Sequence, residues 1–362
     1  MNSLRKLQGS IEPRRDHEAM RIVAIAALLL AVAVPAAAAP GPAAHIKNTN
    51  GWIEAIAMDG SRLAYAVKGG SACTRVFAWN VLNGSAALVS GRGTCAADST
   101  STGGGVTKIA VAGTRLAWIV NMGGNTESAD LLYTASVPRP REKLVANVLR
   151  TGDVDGTLTG GWLGGLVGSG DRIAVDQFTT NATGAIATAA LRRLDPEPTT
   201  IAAGKGTLSP ASLDLHRIAV LRSDGKVALY DTETGRLLLT VKPSSAREVA
   251  LRKDYIVVLT RTRTIEIFNA RTGAPVRALR VAAGAAKLDA HSGIAAYAVG
   301  RTVHVLRLAD GKDAVLGTAP RAIAAVQVEA PGIAYAFNTV KGTRDVGNLA
   351  FVPMRRATSL LS

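Results

Sequence analysis

Aromatic residues make up only 4% of this 362-residue chain, and it has two cysteines. The first scarcity leaves a core to be built from Val, Ile, Leu and Ala, and it removes the stacking platforms that single-stranded nucleic acids use. The second excludes a disulfide scaffold standing in for a core. Charged residues are 19% and apolar residues 48%, a balance that excludes a disordered polyelectrolyte. After the first 40 residues no run approaches the ~18 uninterrupted apolar residues of a membrane-spanning helix. Catalytic signatures are also missing. The chain has no H-E-x-x-H, no G-x-x-x-x-G-K-[ST], no G-x-S-x-G and no S-x-D-x-G-x-x-W.

What is present begins with a targeting signal. Arg14, Arg15 and Arg21 precede the 13-residue apolar run Ile22–Val34, Pro35 breaks that run, and alanines continue to Ala39. A basic region, a short apolar region and a small-residue cleavage zone together make a secretory signal peptide. Residues 1–38 are expected to be removed after Ala38 by a Sec-type route, with Met20 a better start than Met1. The mature chain is then exported, to the periplasm or the extracellular space, with no transmembrane segment. The removed segment carries five basic and three acidic residues, so the formal charge falls from +15 to +13.

After residue 50 a short phrase recurs, with a turn residue or two, often a basic residue, and then an apolar run. Its copies are Gly60–Tyr65, Gly113–Trp118, Gly170–Val175, Leu215–Val220, Lys253–Val258, Ser292–Tyr297 and Pro331–Ala336. Seven copies over residues 52–354 average about 43 residues each, the period of four-stranded propeller blades. The fifth copy shows the parts most clearly: Glu248–Leu251, Tyr255–Thr260, Thr264–Phe268 and Pro275–Val281, separated by polar or glycine-bearing turns. A single such unit cannot bury both faces, and radial stacking covers them without long exposed edges. The chain therefore reads as all-β, a seven-bladed β-propeller of four-stranded blades over 52–354. An eight-bladed ring is the alternative if residues 119–168 hide another blade, and a pair of β-sandwiches is the remaining competitor. Residues 39–51 read as a linker and 355–362 as a tail.

Within the repeats, Val227–Gly235 (VALYDTETG) and Ile265–Gly273 (IEIFNARTG) share a strand-and-turn phrase, with weaker copies at Val303–Gly311 and Val76–Gly84. This phrase resembles that of WD40-like and quinoprotein-like propeller repeats. The Asp or Asn is expected to cap the turn and the glycine to supply its positive φ. The resemblance implies architecture only. The Gly-His and Trp-Asp dipeptides of WD40 repeats are absent, as is the repeat-terminal tryptophan of quinoprotein dehydrogenases, so no cofactor is expected.

Few residues stand out as chemistry. Cys73 and Cys95, in the first repeat of an exported chain, are expected to form a disulfide, worth roughly 3 kcal/mol by loop entropy. Of the five histidines (17, 45, 216, 291 and 304) none has metal-ligand spacing. Asp153-Val-Asp155 resembles the start of a calcium loop without its later carboxylates. With Trp162 it falls in a glycine-rich stretch, 138–168, read as a long loop over one face or partly an edge strand, and so as a candidate binding loop. Arg252, Lys253, Arg261 and Arg263 form a candidate basic surface, with the charge spread over both faces of the ring. The expected function is a non-enzymatic, monomeric binding module. Its expected partner is a protein or an anionic envelope component rather than nucleic acid. The alternative is a propeller enzyme of the lyase or lactonase type, which requires buried His, Glu or Asp side chains converging at one channel mouth.

Overall fold

The computed structural model describes residues 45–68, 74–91, 103–124, 126–152, 157–194 and 198–362. Among the described residues, twenty-eight strands follow one another with a short helix at the end. The first four-stranded sheet holds β2 (Trp52–Asp59), β3 (Arg62–Lys68), β4 (Thr74–Asn80) and β5 (Ala86–Leu88). Eight strands then form one continuous antiparallel sheet. Its first half is β6 (Gly103–Ala112), β7 (Arg115–Gly123), β8 (Glu127–Ser136) and β9 (Lys143–Gly152). Its second half is β10 (Leu158–Ser169), β11 (Arg172–Thr180), β12 (Ile186–Arg193) and β13 (Thr199–Gly204).

Two more four-stranded sheets follow. One holds β14 (Leu208–Asp214), β15 (Arg217–Arg222), β16 (Val227–Asp231) and β17 (Leu237–Val241). The next holds β18 (Ala246–Arg252), β19 (Tyr255–Thr260), β20 (Thr264–Asn269) and β21 (Pro275–Arg280). A further sheet holds β22 (Ala285–His291), β23 (Ile294–Val299), β24 (Thr302–Arg307) and β25 (Asp313–Thr318). The last contains β26 (Ile323–Glu329), β27 (Gly332–Lys341), β28 (Arg344–Pro353) and, as its outermost strand, β1 (His45–Asn50). β1 pairs with β28 from His45↔Phe351 to Asn50↔Val346, so the N-terminal end of the described chain closes the ring. Residues 45–50, read as linker, are thus this closing strand. After β28, α1 (Met354–Ser359) packs Ala357, with Leu361 beyond it, into the apolar layer under the last sheet.

The β-propeller architecture holds, but the blade count does not. The structure has five four-stranded blades, not seven or eight, because the eight strands β6–β13 are one sheet that carries two of the seven channel-lining strands. The joint is the pairing of Leu158–Gly160 on β10 with Gly152–Arg150 on β9. A buried ion pair consolidates it. Arg150 donates to both oxygens of Asp130 (2.8 and 3.0 Å), and Asp130 Oδ2 also accepts the Leu163 N–H at 3.0 Å. The Arg150 guanidinium lies 3.8 Å over the Trp162 ring, and Trp162 stacks on Phe178. Most of the stretch read as a loop, residues 143–152 and 158–169, is therefore strand.

Its glycines answer to packing rather than to a ligand. At Gly160 φ is +126°, and an added Cβ would stand 2.6 Å from the Leu149 carbonyl oxygen. At Gly165 it would meet the Pro210 ring at 2.8 Å.

Apolar layers between neighbouring sheets form the core. One layer lies between the two halves of the wide sheet, with Ile119, Leu132, Leu163 and Ile173 at its centre. Such thin, two-sided packing suits short Val, Ile, Leu and Ala side chains and needs few aromatics. All seven channel-lining strands (β2, β6, β10, β14, β18, β22 and β26) carry a register irregularity against their neighbour, for example between Ile53 and Ala55 or Ala246 and Glu248. A bulge bends a strand and increases its twist.

Two outcomes follow. Gly160→Ala should cost about 2 kcal/mol or more, because it adds a steric clash to a left-handed backbone; an unchanged urea midpoint would refute the packing argument. Asp176, on β11, accepts the Gly165 N–H but is buried, and burial raises its pKa from 3.8 to about 6 despite that bond and nearby Lys108. Its contribution to stability is present in full below 3.8 and is lost as pH rises through about 6. Urea titrations of Asp176→Asn at pH 4 and pH 8 should show this loss abolished, a difference of up to about 3 kcal/mol at 1.36 kcal/mol per pKa unit.

Candidate functional site

Six of the seven channel-lining strands are the edge of their sheet, β10 alone pairing on both sides, so their outward N–H groups need other acceptors. Side chains from the preceding run supply them. Glu54 Oε2 accepts the Val106 N–H at 3.0 Å, Glu248 Oε2 the Leu288 N–H at 2.7 Å, and Asp289 Oδ2 the Val328 N–H at 2.7 Å. Gln327 Oε1 accepts the Met58 N–H at 3.1 Å and Asn338 Oδ1 the Ile53 N–H at 2.8 Å, which carries the pattern across the closure. The channel these strands enclose has a volume of about 300 Å³.

One mouth of the channel is ringed by the turns that follow the lining strands. There Asp59 accepts the Gly113 and Gly170 N–H groups at 2.6 and 3.1 Å, and Asp214 accepts the Lys253 N–H at 2.5 Å. Burial pushes the Asp59 carboxyl above its ordinary value, against the pull of those two N–H groups. Beside them lies a charged cluster reaching into the channel. Arg252 donates to Glu329 Oε1 at 2.8 Å, to the Leu251 carbonyl at 3.0 Å and to the Leu213 carbonyl at 3.1 Å, with Asp289 Oδ1 3.9 Å away. His291 Nδ1 stands 3.3 Å from Glu329 Oε2. Asp289 is raised by burial, with Arg252 pulling it back.

Buried carboxylates and a histidine thus converge at one mouth, as the enzyme alternative requires. Their bonding is structural, however. Both Asp289 oxygens accept backbone N–H groups, from Ala290 and Val328, and Arg252 is held by Glu329 and two carbonyls. His291 Nδ1 lies within ion-pair distance of Glu329 Oε2 but makes no hydrogen bond to it, so the two are neighbours rather than a bonded acid–base pair. Among the described residues no group of His, Cys, Asp or Glu is placed to hold a metal ion.

The sequence-derived candidates separate. Cys73, Cys95, Asp153 and Asp155 lie outside the described residues. Trp162 sits on β10, half-buried, donating its indole N–H to Thr180 Oγ1 at 3.1 Å. Arg252 belongs to the buried mouth cluster, and Lys253 to the turn beside it. Arg261 and Arg263 stand exposed at the other end of the ring, in the turn between β19 and β20.

That other end is what sequence reading missed. From β13 to β28, its turns and links carry Lys205, then Arg222 and Lys226, Lys242, Arg261 and Arg263, Arg280, Arg301, Arg321, and finally Lys341 and Arg344. The acids there are Asp224, which pairs with Lys226 at 2.8 Å and Arg222 at 3.5 Å, and the exposed Asp345 next to Arg344. At the mouth end, the turns of the same sheets balance. Arg217, Arg236, Arg252, Lys253, Arg271, Arg307 and Lys312 stand among Asp214, Asp231, Glu233, Asp254, Asp310, Asp313 and Glu329. The net positive charge of this part of the ring is therefore gathered at one end, not spread over both. The signal lay in the alternation of turns along the chain, which has meaning only once the strand directions are known.

Comparison with solved structures places these features in a known architecture. A chain of the mitotic checkpoint complex superposes with a TM-score of 0.54 at 14% identity, covering 85% of this chain and 93% of that one. The computationally designed Ika8 protein gives 0.48 at 13% identity, over 84% and 98%. BamB from Moraxella catarrhalis gives 0.39 at 14% identity, over 82% of each. The first likeness shows the propeller fold expected from the turn phrase. No family model matches the chain, and no curated protein sequence does.

If Arg252 neutralises the mouth acids, Arg252→Met should destabilise by about 3–5 kcal/mol, the cost of leaving one side of a buried pair. Asp289 then rises further, so the loss should be largest at alkaline pH and shrink as pH falls through its raised pKa. A pH-independent loss in thermal melts would contradict this.

Proposed function

We propose that the chain is an exported, non-enzymatic propeller that binds a protein or an anionic envelope component through turns at one end of its ring. The observation that carries this reading is the use of the channel's polar side chains. Glu54, Asp59, Asp214, Asp289 and Gln327 are all engaged by backbone N–H groups of following strands and turns, where their role is to hold the ring together. The exposed side chains of Arg261, Arg263 and Arg301 enter no ion pair among the described residues and are free to meet a partner. The checkpoint-complex relative is itself part of a multi-protein assembly, a use of the fold consistent with this one. Among the described residues no helix is long and apolar enough to cross a membrane. Export rests on the basic, apolar and Ala-rich order of residues 14–39, and the disulfide between Cys73 and Cys95 would form in the compartment it leads to.

The His291–Glu329 contact supports a second reading, a lyase- or lactonase-type enzyme acting at the mouth. Two measurements separate the readings. N-terminal sequencing of the secreted chain should begin at Ala39, and a chain retaining Met1 or Met20 would refute export by cleavage. Retention of envelope components from fractionated cells should survive His291→Ala and Glu329→Gln. Lactone or polyuronate turnover that both substitutions abolish, with no envelope component retained, would reverse the assignment.

A further inference from the structure

We infer that the basic end of the ring is a docking surface for a membrane leaflet rich in anionic lipid headgroups. The inference rests on the binding reading above and names its partner and face. In every four-strand run the second-to-third turn and the link to the next run leave from the same end. The arginines there therefore project together from successive sheets. Arg261, Arg263, Arg280, Arg301 and Arg321 are exposed, and among the described residues none has an acidic partner within ion-pair distance. Five unpaired guanidinium groups at one end suit phosphate oxygens, which they can engage bidentately.

A second feature favours a lipid surface over a linear polymer. β27 and β28 run ten residues each, whereas β23 and β24 run six, so their hairpin projects about 13 Å further at about 3.3 Å per residue. Near its tip Val340 is 55% exposed, beside Lys341 and Arg344. Trp52, 45% exposed, follows Gly51, whose N–H donates to the carbonyl of Asp345, the residue opposite Val340. An exposed valine on a projecting hairpin that carries Lys341, Arg344 and Asp345, with the exposed tryptophan at the start of β2, matches the headgroup–acyl boundary, where aromatic rings and basic side chains settle. A soluble polyanion would leave both apolar groups in water.

The test is sedimentation of the purified chain with vesicles of phosphatidylcholine, or of phosphatidylcholine and phosphatidylglycerol in equal parts. Binding should require phosphatidylglycerol and weaken with salt. The triple reversal Arg261→Glu, Arg263→Glu, Arg301→Glu should lower it at least tenfold, and Val340→Asp should lower it severalfold. The triple reversal Arg236→Glu, Arg271→Glu, Lys312→Glu changes net charge equally at the other end and should leave most binding intact. All three variants should keep the parent's urea midpoint, since the reversed side chains are exposed. Equal binding to both vesicle types, or equal loss from both triple reversals, would overturn the inference. So would tight binding to soluble polyphosphate with none to vesicles, which would assign the end to a polymer. Retention of an envelope protein by the Arg261/Arg263/Arg301 variant, without vesicle binding by the parent, would leave the binding module standing and remove the lipid surface.

Discussion

Six of the seven strands that line the channel have one edge with no strand beside it, and the rest of the ring depends on how that edge is satisfied. A buried N–H without an acceptor costs about 1–3 kcal/mol, and several such groups recur around the channel. The solution is directional. Glu54, Glu248, Asp289, Gln327 and Asn338 each reach forward to the next lining strand, and the last two reach across the closure to β2. The bonds fix the spacing of neighbouring sheets while the apolar layers supply the bulk of the burial. They also explain why carboxylates gather at the channel of a protein whose charge is strongly positive.

The arginine of the recurring phrase continues the same logic on the second strands. Arg62 donates to the Gly113 carbonyl, Arg115 to that of Leu194 at 2.7 Å, and Arg217 to those of Lys253 and Ala270. Arg172 instead meets Glu233 in an ion pair. Each partner lies in the next run of strands. The basic residue that made the phrase recognisable is thus a staple between neighbours. Five donors in a planar fork let one arginine hold a carbonyl or carboxylate across such a gap. This use of arginine removes a fraction of the positive charge from the surface account, which is why composition alone overstated how evenly the remainder is distributed.

Legibility followed the density of local signals. The fifth phrase was read nearly residue for residue: Tyr255–Thr260 is β19, and Pro275 does begin β21. Its turn was read correctly as well. Asn269 Oδ1 accepts the Arg271 and Thr272 N–H groups and Gly273 has φ +73°, as Asp231 and Gly235 do in the preceding sheet. Short β-branched runs between tight turns announce themselves because strand and turn are both local. The glycine-rich β10 did not, since its strand character comes from close approach to β9 and to Pro210 rather than from its own side chains. For the same reason the wide sheet, and with it the true blade count, was invisible. The pairing of β9 with β10 depends on the buried Asp130–Arg150 pair, whose members stand twenty residues apart.

The candidate sites obeyed the same division. Arg252 and Arg261 look alike in sequence, nine residues apart in a basic stretch, yet one is enclosed by Glu329, Asp289 and two carbonyls and the other stands in solvent. The difference is strand direction. Arg252 ends a lining strand at the mouth, and Arg261 follows the return strand at the opposite end. Each strand reversal moves the next turn to the other end of the ring, so a basic run in sequence is divided in space, while distant turns of the same parity are brought together. Lys242, Arg280 and Arg321 share no motif and no neighbourhood in the chain, but each lies at or beside a link from the fourth strand of one sheet to the first of the next. Internal bonding holds the positive charge at the mouth in place. At the other end nothing in the fold requires it, and a charge that the fold does not use is available to a partner.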